Sequence, residues 1–326
     1  MGKEVERERK MIPTITFTAP VGGVGRTTHT FNIGWGLAAL GKKVLLVDAD
    51  PSCILSQLFM NDCDKCDRIT SRVSVDDGKF LNLFESMHTV TYPSDVCLPH
   101  CDVASHQNNH NLMLLPGSRF IVDLDSKIKF FLTSQDSFYL DILRGFHTVV
   151  QRTAKKHDAD VVLIDINSNC GPFNMLVVMF STYLIVPVRD DFFSYNAIRN
   201  FYRIISSWKN DRDTVINSDA SFQYLSKYSL PLPTETPKFI GLLQILSHND
   251  AGEINSFLTH KLIPRLREYN MLFPESQIFP CSDFAEYDIS AQIRGLPLIA
   301  LRENEDINNI VSTTDTIIHH IFNLLC

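Results

Sequence analysis

Short, nearly continuous apolar runs recur along this chain, at residues 15–18, 43–47, 111–116, 159–165, 182–188 and 241–246, each closed by a polar or glycine-bearing stretch. A strand buried on one face alternates apolar and polar side chains, whereas one buried on both faces does not. The runs therefore predict a mostly parallel sheet covered on both sides, an α/β three-layer α/β/α sandwich. Parallel neighbours need crossovers, and residues 141–157 supply a helical pattern with Ile142, Phe146, Val149 and Val150 on one side. The last segment, 305–326, is apolar at 307, 310, 311, 317, 318, 321, 322 and 325, which predicts a helix docked on that sheet.

The first two runs frame the richest chemistry. Between them stands VGGVGRTT, residues 21–28, a glycine-rich turn that opens a helix. Glycines before a helix N-terminus let backbone N–H groups converge on an anion, and the helix dipole adds favourable potential. A cation after the last glycine reaches phosphates, and the hydroxyl that follows can ligate Mg²⁺. Here those are Arg26 and Thr27, with Thr28 beside them. The second run ends in Asp48 and Asp50, at the strand edge where α/β proteins place ligands.

VGGVGRTT followed by GKKVLLVDADPS resembles the deviant Walker A loop and aspartate segment of the ParA/MinD family of P-loop ATPases. The family writes these as KGGxGKT[T] and DxDP[Q]. The resemblance implies a P-loop NTPase-type sheet in a single domain over residues 11–326, after a charged tail at 1–10, with insertions near 60–110 and 210–238. It implies ATP and Mg²⁺ as cofactors. Gly22, Gly23, Val24, Gly25, Arg26, Thr27 and Thr28 would line the phosphates; Thr27, Asp50 and Asp165 would hold Mg²⁺; Asp50 and Arg26 would serve hydrolysis. Asp165 closes the apolar run ADVVLID in the Walker B position, and Asp48 would orient the cradle. By the same analogy 247–249 and 279–282, Pro280 among them, would border the adenine.

Departures from the family pattern decide how far the resemblance carries. The signature lysine that reaches across a dimer falls on Val21, and the main phosphate lysine falls on Arg26. Val21 offers a partner's phosphate no charge, and a planar guanidinium is not equivalent to a slim ammonium at a tight site. After Asp165 the family has Asp-x-Pro-Pro, where this chain has Ile166-Asn167-Ser168, and the family's frequent arginine after the late proline is Cys281. Two readings stay open: an ATP-dependent dimerising switch with slow hydrolysis that positions DNA or a protein complex, or a degenerate module that binds nucleotide or a partner without turnover. A dinucleotide-binding reductase is the third class, and it lacks the G-x-G-x-x-G spacing it would need.

Partners and compartment follow from the remaining composition. A net charge of −7 excludes a generally basic surface, so nonspecific DNA contact would be local, at Arg199, Arg203 and Lys209. A homodimer and a ParB-like adaptor are the partners the family implies. Eight cysteines at irregular spacing and the charged first ten residues fit the cytoplasm. Cys63, Cys66, Cys97 and Cys101 have a spacing compatible with zinc, but no turn glycines flank them, so ordinary loop thiols are the favoured reading. The longest apolar run, 175–188, is shorter than the roughly 20 residues of a spanning helix. The 305–326 helix lacks the basic face of a membrane-surface anchor.

Overall fold

The apolar runs pair with one another because no other arrangement removes both of their faces from water. A computed structural model describes residues 11–19, 21–71, 82–91, 103–134, 137–189, 192–221, 230, 232–246, 278–282, 296–300 and 305–326. Its strands are β1 (Thr14–Phe17), β2 (Val44–Asp48), β3 (Ala104–His106), β4 (Asn109–Leu115), β5 (Val161–Asp165), β6 (Tyr183–Arg189), β7 (Lys238–Leu246) and β8 (Ile278–Ser282). They form one sheet in the order β3-β4-β2-β5-β1-β6-β7-β8. All neighbours run parallel except the edge strand β3, which pairs antiparallel with β4. That short edge strand is unannounced in the sequence, since the three residues Ala-Ser-His carry no run of their own.

Nine helices are described: α1 (Arg26–Ala39), α2 (Ile54–Met60), α3 (Cys63–Thr70), α4 (Leu83–Thr91), α5 (Val122–Ser134), α6 (Ser137–Lys156), α7 (Pro172–Met179), α8 (Phe192–Ser221) and α9 (Glu305–Leu324). Strand side chains divide strictly between two cores. Leu45, Val47, Val162 and Ile164 join Phe146 and Val149 of α6, Ile128 of α5 and Leu176 of α7. Val44, Leu46, Val161 and Leu163 join Phe31, Ile33 and Leu37 of α1 and Ile317, Ile318 and Ile321 of α9 on the other face. The three-layer sandwich follows, and the terminal helix is docked on the sheet as its periodicity predicts.

Two glycines set how closely α1 approaches its neighbours. A Cβ on Gly34 would stand 2.7 Å from Leu46 Cδ2, and one on Gly36 would stand 2.3 Å from Ile318 Cδ1. No described helix is long and apolar enough to cross a membrane. The 175–188 run is instead split between α7 and β6.

The segment 210–238, expected as an insertion, begins as regular structure: residues 210–221 continue α8, and Lys238 already belongs to β7. Its return is held by Arg212, which is 2 % exposed. The guanidinium donates to the carbonyls of Met179, Pro233, Thr234 and Glu235 at 3.2, 3.1, 2.6 and 2.7 Å. Irregular backbone has no ladder to satisfy its carbonyls, so the side chain does it. Arg212→Met is expected to lower stability by about 1–3 kcal/mol, read as a shifted urea midpoint, because the buried Met179 carbonyl and three part-buried ones lose their donor at once. In the 60–110 region the described elements are the end of α2, α3, α4, β3 and the start of β4.

Candidate functional site

Parallel strands deliver their C-termini to one edge, and here three of them converge. Phe17 at the end of β1 is level with Asp165, and Asp165 is level with Asp48 at the end of β2. The chain leaving β1 turns through residues 21–25 into α1. Gly23 and Gly25 take φ of +73° and +70°, the left-handed region that side-chain-bearing residues avoid. Gly25 is the N-cap of α1 with no side-chain cap, so the first amides of the helix are left to whatever lies in front of them. A Cβ on Gly25 would also meet the buried His29 ring at 3.2 Å.

The sequence-expected residues gather around this turn. The Arg26 guanidinium donates from Nη1 to the Ala19 carbonyl at 2.7 Å, strapping the helix start to the entry of the turn. Burial lowers its pKa, while the charges of Asp165 and then Asp50 oppose that shift. Asp50 accepts the Ser52 amide at 2.7 Å. Asp165 is fully buried, and neither of its carboxylate oxygens has a partner in hydrogen-bond geometry. Burial drives its pKa well up, with Asp48 adding to the shift; the nearby Thr27 hydroxyl pulls it back down. Thr27 therefore lies close enough to favour the charged form without forming a bond that satisfies either oxygen. A buried acid left in this state is costly unless a cation joins it.

Asp48, expected to orient the cradle, is held by the start of α2. Its Oδ2 accepts the Ser56 amide at 2.8 Å and the Ser56 hydroxyl at 2.6 Å, and Oδ1 accepts the Asp50 amide at 3.3 Å. Ser56 Oγ in turn accepts the Gly117 amide at 3.0 Å. Asp48 thus ties α2 and the turn after β4 to the strand end. Burial pushes its carboxyl up to about 7, against the Ser56 hydrogen bonds. A Cβ on Gly117 would stand 2.9 Å from the Asp48 carbonyl oxygen. Gly117→Ala is expected to cost about 1–3 kcal/mol, seen as a lower urea midpoint at unchanged m-value.

Some of what shapes the site has no counterpart in the motif. Asn174 Nδ2 donates to the Asn167 carbonyl, Asn167 Oδ1 and the Asn169 carbonyl at 3.0, 2.9 and 2.7 Å. Asn167 Oδ1 and Asn169 Oδ1 accept the amides of Asn169 and Gly171, each at 2.9 Å. This amide ladder fixes the turn after Asp165 where the family uses prolines, and Asx-type bonding is the signal that reveals it. It brings Ser168 beside Gly22. Arg189, at the end of β6, donates to the Gly23 carbonyl through Nε and Nη2 at 3.4 and 3.3 Å.

The remaining expected residues are described only in part. Pro280 lies within β8, level with Gln244 of β7. Phe279 is buried in the core, and residues 247–249 lie outside the described residues. Cys63 and Cys66 are on α3, whereas Cys97 and Cys101 lie outside the described residues. Burial and the neighbouring Asp48 push the Cys66 thiol up to about 11. Among the described residues no three His, Cys, Asp or Glu side chains form a metal-holding group.

The profile of the AAA domain family matches residues 12–218, well over half of the chain. The chain belongs to this family, as a ParA/MinD-like P-loop ATPase-type protein. It is 28% identical over 177 residues to an uncharacterised protein of Mycobacterium tuberculosis, covering 54% of this chain and 46% of that one. It is 23% identical over 230 residues to the cell division protein PomZ of Myxococcus xanthus, covering 67% and 62%. The chain therefore spans about half to three fifths of the length of these curated relatives. Among solved structures, protein DIP2308 of Corynebacterium diphtheriae superposes with a TM-score of 0.64 at 18% identity, covering 87% and 97%. An ATP complex of a McdA variant from Cyanothece superposes at 0.56 with 17% identity, covering 94% and 97%. These likenesses establish the fold.

Proposed function

We propose that this chain binds ATP with Mg²⁺ in the 21–28 cradle and acts as a cytoplasmic, nucleotide-dependent dimerising switch that positions DNA or a protein complex, with slow hydrolysis. The observation that supports this most is Asp165: a fully buried carboxylate with both oxygens unpartnered, beside Thr27 and Arg26 at an uncapped helix N-terminus. Such a group is a cost in the nucleotide-free chain and an asset once a metal is held. Amides of Gly22 to Thr28 would take the phosphates, and Thr27, Asp165 and Asp50 would hold Mg²⁺, which would supply charge neutralisation of the phosphates. Asp50 and Arg26 would act nearest the reacting phosphate, with Val24 and Pro280 as further nucleotide neighbours.

The family supports a homodimer and a ParB-like adaptor as partners, and PomZ is a cell division protein by name. Arg203 and Lys209 are exposed on α8, the helix that also carries Arg199, and they are where nonspecific DNA would dock. A second reading rests on Val21 and on the Arg26 strap to Ala19: binding without turnover, a regulatory module. Titration with labelled ATP, GTP and NAD, then phosphate-release and sedimentation measurements in Mg²⁺, separates the readings. ATP binding, slow release and a dimer that forms with ATP and not ADP support the switch. ATP binding with no release supports the regulatory module, and preference for NAD defeats both.

A further inference from the structure

We infer that the Ser168 hydroxyl donates a hydrogen bond to the terminal phosphate of the bound triphosphate, so that this chain tells ATP from ADP through the turn that follows β5. This rests on the nucleotide-binding reading above and deepens it, by naming the group that meets the one phosphate ADP lacks.

Where the terminal phosphate stands follows from the metal. Mg²⁺ bridges β- and γ-phosphate oxygens, and the acid proposed to hold it, Asp165, ends β5 beside β1. Amides at the start of α1 take the inner phosphates at the helix N-terminus, so the outermost one projects along the β5 flank, toward the chain that leaves Asp165. Three residues along that chain is Ser168. A Cβ on Gly22 would stand 3.7 Å from Ser168 Oγ, an ordinary van der Waals separation, so the hydroxyl lies across from the opening of the glycine turn. Among the described residues, chain neighbours aside, no other heavy atom comes within 4 Å of that position. Gly22 is exposed and Ser168 half-buried, so a ligand can reach the gap between them.

The turn that carries Ser168 is held at both ends. Near Asp165, Asn174 Nδ2 donates to the carbonyls of Asn167 and Asn169 and to Asn167 Oδ1, while the side chains of Asn167 and Asn169 accept the amides of Asn169 and Gly171. At the far end the Phe173 amide donates to Asp125 Oδ1 at 2.8 Å, and a Cβ on Gly171 would stand 2.6 Å from Asp125 Oδ2. These bonds engage both flanking asparagines and leave the Ser168 hydroxyl out. The Asp-x-Pro-Pro pattern puts a proline where this chain has Ser168, and proline carries neither a hydroxyl nor an N–H. The amide ladder thus supplies the stiffness of a proline turn, and the serine adds a donor to it. A hydroxyl fixed before the ligand arrives loses little freedom on binding, and donation to an ionised phosphate oxygen is stronger than to a neutral acceptor.

Two roles must be told apart: a donor to the terminal phosphate, and a side chain that only fills space in the turn. The test is a titration of the full chain with AMPPNP, a non-hydrolysable ATP analogue, and separately with ADP, each in Mg²⁺, for the wild type, Ser168→Ala and Ser168→Thr, with melting temperatures recorded beside it. Ser168→Ala is expected to weaken AMPPNP binding by about tenfold, the scale of one hydrogen bond to a charged group, and ADP binding by less than about twofold. Its melting temperature should stay within about 2 °C of the wild type, since no bond of the ladder is lost. Ser168→Thr keeps the hydroxyl and should bind AMPPNP within about threefold of the wild type. Equal losses for AMPPNP and ADP, or a Ser168→Ala variant that binds AMPPNP as the wild type does, overturn the Ser168 contact and leave the nucleotide reading standing. A wild type that binds neither nucleotide overturns both.

Discussion

Asp165→Asn is expected to make the nucleotide-free chain more stable while removing the Mg²⁺-dependent part of ATP affinity. The reason is the state of that carboxyl: fully buried, with no partner on either oxygen, and with its pKa driven well above the ordinary value of 3.8. Burial without partners penalises the ionised form, and the opposing pull of the Thr27 hydroxyl and the Arg26 charge is smaller than that penalty. The neutral amide removes that penalty, so a gain in stability is expected at neutral pH and little gain near pH 3. Thermal unfolding across pH measures this directly.

The sign follows from which state holds the proton. Between the unfolded value of 3.8 and the raised folded value, the folded chain keeps a proton that the unfolded chain has lost, so stability falls as pH rises through that window. Asp48 behaves alike, its window running from 3.8 to about 7. His147, buried with Nε2 unpartnered and its pKa pushed down to about 4, acts in the opposite sense and loses stability as pH drops from 6.5. Mg²⁺ at Asp165 would favour the charged form, so nucleotide binding should release protons. Calorimetry in buffers of different ionisation heat should show that release in the wild type and its loss in Asp165→Asn. An unchanged stability–pH profile, with Mg²⁺ dependence retained, would mean that Asp165 is not the metal's acid.

The second large effect concerns turnover. Val21→Lys combined with Arg26→Lys is expected to raise phosphate release by about 10³-fold, since a cation that stabilises a phosphoryl transition state contributes on that scale. Val21→Lys restores a charge that can reach a partner's nucleotide, and Arg26→Lys replaces a fork strapped to Ala19 with an ammonium free to follow the phosphates. If the proposed dimer forms, the gain should depend on protein concentration, because the first lysine would act across it. Single-turnover kinetics at two protein concentrations would test it; no increase in either condition would show that the missing lysines do not limit the rate.

How much of this was legible in the sequence depends on range. The strands and the cradle were readable because both are local: continuous apolar runs report burial on two faces, and glycines before a helix report an anion site. The docking of α9 was equally visible, since Ile317, Ile318 and Ile321 fall on one helical face. What escaped depends on contacts distant in sequence. Arg189 meets Gly23 across 166 residues. Nothing near Arg212 signals that it closes off the carbonyls of residues 233–235. The DxD spacing says nothing of Ser56, eight residues on, whose hydroxyl and amide both bond Asp48. The stretch 210–238 is longer than a helix-to-strand connection needs, and length alone does not show that residues 210–221 prolong α8. The amide ladder of Asn167, Asn169 and Asn174 could have been suspected from asparagines that follow a strand end, as such residues bond their own backbone.

If main-chain N–H groups of residues 21–28 grip the phosphates, amide hydrogen exchange over this turn, with and without ATP and Mg²⁺, reads that grip without an intermediary. The account predicts strong protection confined to this segment and to the end of β5 when ATP and Mg²⁺ are added together, and much weaker protection with ATP and a chelator. Tight ATP binding that leaves the amides of 21–28 exchanging as before would contradict it.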